Sequence, residues 1–264
     1  MSTATIVAFL LSLVFQVGYP LFVTLLYRRR TGARWQAFAY GGLVFAVFQL
    51  FTWLPLSAYL DVVLGNRLSS PFWAFVWLLA MALMTALFEE GGRWLGFRYL
   101  FPRAKLRLGW RQGVMYGLGH GFLETVLFIA GLTFVYLLAY VALTKLGLAE
   151  AMPSLSENAP SSVRQAISDI VDTAWTQPMI VAVERMLALP HQVAWTLLVM
   201  QSHISRQKRW FGFAVLYHLS IAVIVPGLAR LFGFFTAEGV NVLFALLSLW
   251  IVVKLRDTNR EMVV

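Results

Sequence analysis

Two adjacent carboxylates stand in a stretch that otherwise suits the interior of a membrane, "MALMTALFEEGGRWLGF" at residues 81–97. Glu89 and Glu90 are followed by Arg93, which on a helix lies one turn away and can reach either carboxylate. Such a group can be a purely structural ion pair. Paired carboxylates can also share a proton, or take one from water as a general base. The stretch therefore predicts either a buried ion pair or an acid–base site.

Three histidines and a further glutamate lie in later apolar stretches. A lone histidine there usually makes a hydrogen bond between helices, whereas several together can orient water, donate to an oxyanion or bind a metal ion. Glu124 follows the first histidine by one helical turn, so the two can act on one face. The candidate site residues are Glu89, Glu90, Arg93, His120, Glu124, His191 and His218.

The composition indicates that these residues belong to a membrane protein. Hydrophobic residues make up 60% of the chain and charged residues 12%, whereas soluble domains carry about 25% charged residues. We predict an all-α polytopic membrane bundle of about seven transmembrane helices, formed by residues 1–264 as a single unit and located in the cell membrane as a multi-pass protein. The predicted spans are 4–27, 36–60, 72–97, 111–144, 179–202, 210–231 and 237–254.

The positive charges predict the orientation of the spans. Lys and Arg cluster after the first, third, fifth and seventh spans, and the other connections carry few of them. Positive loops stay in the cytoplasm, so we expect the N-terminus outside and the C-terminus in the cytoplasm. The same clusters account for the net charge of +9, and no basic recognition motif accompanies it, so we do not expect nucleic acid as a partner.

The longest connection, about 146–178, is predicted to lie outside. Within it, "SSVRQAISDIVDTAW" has apolar residues at helical spacing with a polar opposite face. This pattern is typical of an amphipathic helix in the membrane interface, with membrane lipid as a partner, and equally of a loop helix that packs on the bundle. No internal repeat is found, so the sequence gives no support to an inverted-repeat transporter.

The predicted spans bring the candidate residues to similar depths. Counting ~1.5 Å per residue, Glu89 lies about 12 Å from the cytoplasmic end of the third span, and His120 and His218 lie at similar distances within the fourth and sixth. His191, near the middle of the fifth span, lies somewhat deeper. Because an ionised residue at the centre of a span costs ~2.5–3.5 kcal/mol, these side chains need partners or a wet cavity. We therefore predict one site, within about 89–222.

Four motifs within residues 89–222 resemble the YhfC-type membrane peptidases, a family related to the PrsW and CAAX glutamic intramembrane proteases. The carboxylate pair with its following Arg, and a His on each of three later helices, carry the resemblance. Ala222 departs from it, because the relatives usually have Asn or Asp there to hold the oxyanion. The motifs are "EEGGR" at 89–93, "GLGHGFLE" at 117–124, "ERMLALPHQVAWT" at 184–196 and "YHLSIA" at 217–222.

The resemblance implies an intramembrane endopeptidase that hydrolyses a peptide bond of a membrane protein or a lipidated peptide. Glu89 would activate the water. Burial favours its protonated form and Arg93 favours its ionised form, and the balance of the two suits a group that takes up and releases a proton. Glu90 would hold Arg93 or share a proton with Glu89. The remaining candidates would assist: His120 and His218 by orienting the water or donating to the oxyanion, with His191 and Glu124 in support.

Other chemistries are less well supported by the residues. The chain has no cysteine and no H-E-x-x-H pair, so we expect no cofactor; a dispersed zinc site at His120, His191 and His218 is the alternative. An intramembrane proton relay or transporter is the second function considered, because Glu and His chains also mark proton pathways. A non-catalytic membrane protein on a protease-like fold is the third, and Ala222 keeps it open.

Overall fold

The computed structural model describes residues 3–68, 70–146 and 161–258, which form helices and no strand. Three of the long helices contain π-helical segments, at Phe45–Trp53, Gly96–Leu100 and Glu124–Ile129. The longer helices are α1 (Thr3–Thr31), α2 (Trp35–Val63), α3 (Pro71–Arg103), α4 (Trp110–Lys145), α5 (Ser161–Val171), α6 (Thr176–Ile204), α7 (Arg209–Phe232) and α8 (Phe234–Thr258).

Six helices in the described part of the chain are long and apolar enough to cross a membrane: α1, α2, α3, α4, α7 and α8. The protein is thus a multi-pass, all-helical membrane protein. The predicted fifth span, 179–202, forms the 29-residue helix α6, which is long enough but not among the six. Its C-terminal half is enclosed by protein, with every residue from His191 to Ser202 buried, and this half carries several polar residues. A helix that faces protein need not be as apolar as one that faces lipid.

The chain forms two compact units, and α1, α4 and α6 each contribute residues to both. The first contains the described residues of Met1–Tyr19 and Thr125–Met186. Its core is a cluster of Phe9, Leu137 and Tyr140, and Ile170 of the amphipathic helix α5 packs against this cluster. The helix expected in the long connection is therefore present, with one apolar residue on protein and another, Val163, exposed. Residues 147–160 of that connection lie outside the described residues.

The second unit contains Pro20–Glu124 and the described residues of Leu187–Val264, and it holds all the candidate site residues. Glycines let α4 approach its two neighbours closely. A Cβ atom built on Gly119 would lie 1.9 Å from the carbonyl oxygen of Phe38 in α2, and one on Gly117 would lie 2.9 Å from the Cα of Val193 in α6. The backbones can come this close only without side chains between them. His120 is thereby held between two helices.

Candidate functional site

The two adjacent carboxylates of α3 share one guanidinium. Arg93 Nη1 donates to Glu90 Oε1, and Arg93 Nη2 donates to Glu89 Oε2 at 3.2 Å. All three side chains are buried, and Arg93 and Glu90 have no exposed surface. The helical spacing of the sequence accounts for both contacts, because residues three and four positions apart share one helix face.

Two histidines approach this group from other helices. His218 Nδ1 on α7 lies 2.9 Å from Glu90 Oε1, within hydrogen-bond distance, so Glu90 Oε1 serves both His218 and Arg93. His120 Nε2 on α4 lies 3.3 Å from Glu89 Oε2. Neither ring nitrogen of His120 makes a well-directed hydrogen bond to any residue that the structure describes. Each carboxylate thus has its own histidine, and the one beside Glu89 keeps hydrogen-bonding capacity.

A glutamine connects the group to Glu124. Arg93 Nη2 donates to Gln192 Oε1, and Gln192 Nε2 donates to Glu124 Oε2 at 2.5 Å. An amide presents an acceptor and a donor on opposite sides, so it can join a cation to an anion. Glu124 therefore reaches the site through Gln192 of α6, at the point where a π-helical segment begins in α4.

His191, the deepest of the predicted residues, is held by α8. Its Nδ1 lies 2.8 Å from Ser248 Oγ, and its Nε2 lies 3.3 Å from Asn241 Oδ1. The amide oxygen of Asn241 can only accept, so Nε2 carries the proton that it donates. Ser248 also contacts the hydroxyl of Tyr217 at 2.8 Å. His191 is therefore oriented by partners on both of its ring nitrogens.

Trp195 links His191 to the carboxylate group by ring contacts. Its indole stacks on His218 with ring centroids 3.9 Å apart and planes 4° apart, and on His191 at 5.8 Å. The guanidinium carbon of Arg93 lies 5.8 Å from the Trp195 ring, in cation–π range. One face of His218 is thus covered by an apolar ring, which excludes water from that side.

The buried group has an unbalanced charge. With both carboxylates ionised and both imidazoles neutral, the two glutamates exceed the one guanidinium by a negative unit. An isolated buried charge is costly, so such a group favours taking up a cation. Glu90 Oε2 is available to a cation, because it is buried and makes no hydrogen bond to the described residues.

The side chains that the structure brings close enough to hold a metal ion differ from the three histidines considered above. In the described part of the chain, ligand atoms of Glu89, Glu90 and His218 all lie within 4.8 Å of one another. His191 has Ser248 and Asn241 on its ring nitrogens instead. Two carboxylates and an imidazole are a donor set that suits zinc and similar divalent ions. Glu90 Oε2, which makes no hydrogen bond to the described residues, is an atom of this group that could bind one.

The protein is therefore a multi-pass membrane protein. Its described residues include a buried group of Glu89, Glu90, Arg93, His120 and His218. The family model described as "YhfC intramembrane metalloprotease" matches residues 13–252, and the chain belongs to that family. Over 206 residues, 75% of each chain, it is 27% identical to the "Uncharacterized membrane protein YhfC" of Bacillus subtilis (strain 168). No solved structure gives a significant match.

The family description agrees with the class of activity that the motifs imply, an intramembrane protease. It differs in mechanism, because it names a metalloprotease and the resemblance implied a metal-free one. It also favours a protease over the proton relay or transporter.

Sequence reasoning missed the residues that hold the site together. Gln192 and Trp195 stand inside the quoted motif "HQVAWT", but only the histidine of that motif was selected. A glutamine in a predicted span needs a polar partner, and that requirement was the available signal. Asn241 and Ser248 lie in the last span, beyond the predicted site region of about 89–222, and their partner His191 is at least 50 residues away in the chain.

Proposed function

We propose that the protein is an endopeptidase that hydrolyses a peptide bond of a membrane protein or lipidated peptide, with Glu89 as the general base that activates water. The observation that carries the proposal is the contrast between the two carboxylates. Glu90 has no exposed side-chain surface, and its Oε1 accepts from both Arg93 and His218. Glu89 keeps 7% of its side chain accessible and lies beside the uncommitted ring of His120.

The roles of the other residues follow from their contacts. Glu90 fixes Arg93 and His218, and Arg93 holds the Glu89 carboxylate in one orientation. His120 can orient the water beside Glu89 or donate to the oxyanion, since its ring nitrogens are not committed. Gln192 accepts from the same guanidinium nitrogen that donates to Glu89. These partners leave Glu89 as the carboxylate that can accept a proton from water.

Substitution of Glu89 tests the proposal. Glu89→Gln keeps the shape and an acceptor for Arg93 but removes the base, so we expect cleavage to fall by ~10²–10⁴-fold. Folding should be little affected, because a neutral amide costs less to bury than a carboxylate. The measurement is cleavage of a single-span reporter protein by purified enzyme in liposomes, alongside thermal unfolding in detergent.

Asp61→Asn makes the same carboxylate-to-amide change at an exposed residue of α2 that accepts a hydrogen bond from Trp77. This control should cleave normally. A folded Glu89→Gln protein that cleaves as fast as the Asp61→Asn protein would show that the carboxylate pair is structural, and the proposal would fail.

A metal-dependent form of the same reaction is the second candidate, favoured by the grouping of Glu89, Glu90 and His218 and by the family description. These three residues would hold the ion, and His120 lies close enough to Glu89 to contribute. A divalent ion in such a place supplies Lewis acidity to the scissile carbonyl. Arg93, bonded to both carboxylates, would then orient the ligands and also oppose the cation by its charge.

Metal content distinguishes the two candidates without any activity measurement. If Glu89 is a base in a metal-free site, protein purified in the presence of zinc should hold substoichiometric metal, and chelators should leave its unfolding temperature unchanged. If the ion is resident, about one per chain should be present, as in other protein zinc sites. It should be lost in His218→Ala and retained in His191→Ala, because His191 bonds to α8. Stoichiometric zinc with that pattern would overturn the metal-free form.

A further inference from the structure

A cavity of about 320 Å³ lies beside Trp94 of α3, where α6 ends and α7 begins. Trp94 of α3 and His203 of α6 form one wall: His203 Nε2 donates to the carbonyl oxygen of Trp94 at 3.2 Å, and the two rings are 5.1 Å apart. The cavity is lined by Trp94, Ser202, His203, Arg206, Lys208 and Phe211. None of these residues has a role in the proposed reaction.

The cavity is strongly basic. Arg206 and Lys208 are exposed residues of its lining, and the guanidinium of Arg98 lies 5.2 Å from the Trp94 ring. The connection that carries Arg206 and Lys208 is short, and Arg206 has a left-handed backbone (φ 56°), which turns the chain between α6 and α7. Helix α7 begins next to it at Arg209 and adds the positive end of its dipole.

No acidic residue of the neighbouring connections neutralises this charge. The segments 28–34, 98–111 and 203–209, which the charge pattern places on one side of the membrane, contain twelve Lys and Arg residues and no Asp or Glu. The positive-inside rule explains why the charges lie on this side, but it does not explain a cavity between helices that collects them. Such a cavity suits an anion from outside the chain.

The position of the cavity selects the kind of anion. Its charged residues lie in the connection between α6 and α7, at the level of the bilayer headgroups, and Trp94 and Phe211 give it an aromatic and apolar wall. Tryptophan prefers this level of the membrane, and basic pockets between helices on the cytoplasmic side suit phospholipid headgroups. We propose that the cavity binds the phosphate of an anionic phospholipid, with Arg206 and Lys208 as its charged ligands. This inference does not depend on the proposed peptidase activity.

Lipid binding by the purified full-length protein tests the proposal. The protein in neutral detergent is titrated with phosphatidylglycerol, with phosphatidylcholine and with inorganic phosphate, and bound lipid is counted by native mass spectrometry. We expect phosphatidylglycerol to bind more tightly than phosphatidylcholine. Each basic residue near a membrane surface contributes about five-fold to the affinity, so Arg206→Gln with Lys208→Gln should weaken phosphatidylglycerol binding by about 25-fold.

Arg103→Gln with Arg107→Gln is the matched control, because it removes the same charge from exposed residues that do not line the cavity. It should bind phosphatidylglycerol like the unchanged protein. If the cavity double variant does not fold, Lys208→Gln alone should give about a five-fold loss. Equal losses in the cavity and control variants would mean general surface attraction, and would overturn the proposal.

Two other outcomes would also overturn it. Inorganic phosphate that binds as tightly as phosphatidylglycerol would identify a soluble phosphate ligand instead of a lipid. Unchanged lipid binding in the cavity variant, with lost capture of an acidic juxtamembrane peptide, would assign the cavity to a protein partner.

Discussion

Arg93 connects more of the site than any other single residue described above. It donates to Glu89, Glu90 and Gln192, and its guanidinium lies against the ring of Trp195. A guanidinium has five N–H donors in one plane, so it can hold three acceptors at once, which a lysine cannot do in the same geometry. The position of each carboxylate is therefore set by Arg93 as much as by its own helix.

Removal of Arg93 should consequently unfold the site and not merely inactivate it. Arg93→Ala leaves two carboxylates buried without their cation, and breaking a buried pair in this way costs ~3–5 kcal/mol. We expect a large loss in the free energy of unfolding together with loss of cleavage. Chemical denaturation in mixed micelles measures the first, and the reporter assay measures the second.

Arg98→Ala is the control for this prediction. Arg98 is on the same helix but is exposed, with cation–π contacts to Trp94 and Tyr99. Its removal should cost ~0.5–1 kcal/mol. If the two variants lose the same stability, the ion group contributes little to folding, and Arg93 acts only on the reaction.

At the scale of the helices, α4 is fixed against α2 by a glycine of each helix. A Cβ on Gly41 of α2 would lie 1.9 Å from the carbonyl oxygen of Tyr116, and one on Gly119 would meet Phe38 at the same distance. Because both obstacles are backbone atoms, rotation of a side chain cannot relieve them. These contacts determine where His120 stands relative to Glu89.

A methyl group at Gly119 should therefore reduce both stability and activity. We expect Gly119→Ala to lower the free energy of unfolding by at least ~1–3 kcal/mol, because the helices must separate. His120 would shift with α4, and a displacement of about 1 Å at a catalytic group can cost ~10²-fold in rate. Thermal unfolding and reporter cleavage measure the two effects.

Gly131→Ala serves as the comparison on the same helix, since its added Cβ would meet nothing within 4 Å. There the change should be neutral or stabilising by up to ~1 kcal/mol, because alanine is the better helix former. Similar destabilisation by both substitutions would show that α4 is sensitive to any change and that its close contacts have no special role.

The helices were predictable from the sequence to within a few residues because the length of an apolar run is set by the thickness of the membrane. The structure brings together Glu89, Glu90, Arg93, His120 and His218, as their similar predicted depths had indicated. The partners of these residues were not predictable in the same way. Gln192 meets Arg93 across 99 residues of sequence, and which helices are neighbours is decided by packing contacts that hydropathy does not record.

The polarity of α6 illustrates the same limit. The charge pattern treats it as a span, whereas its composition does not reach the level of the other six. Burial from His191 to Ser202 explains its polar residues, because their partners are protein groups and not lipid. A hydropathy threshold that suits lipid-facing helices therefore fails to select a spanning helix that is enclosed by protein.

Over the whole molecule, the orientation depends on whether α6 crosses the membrane. The basic segments 98–111 and 203–209 are separated by the spanning helix α4 and by α6. Both segments lie on the same side only if α6 crosses as well. With a length of about 44 Å at 1.5 Å per residue, α6 exceeds the ~30 Å apolar core of a bilayer, so its length permits the crossing.

Reporter fusions along the chain provide the test. Fusions after residues 32, 105, 207 and 260 should report the cytoplasm, and fusions near 66, 155 and 235 should report the outside, since each basic cluster resists translocation. The fusions after 105 and 207 are the decisive pair, because α4 and α6 are the described helices between them that are long enough to cross a membrane. A cytoplasmic signal at 105 with an outside signal at 207 would mean that α6 does not cross. An outside signal at 105 would invert the protein and place the carboxylate pair nearer the outer face.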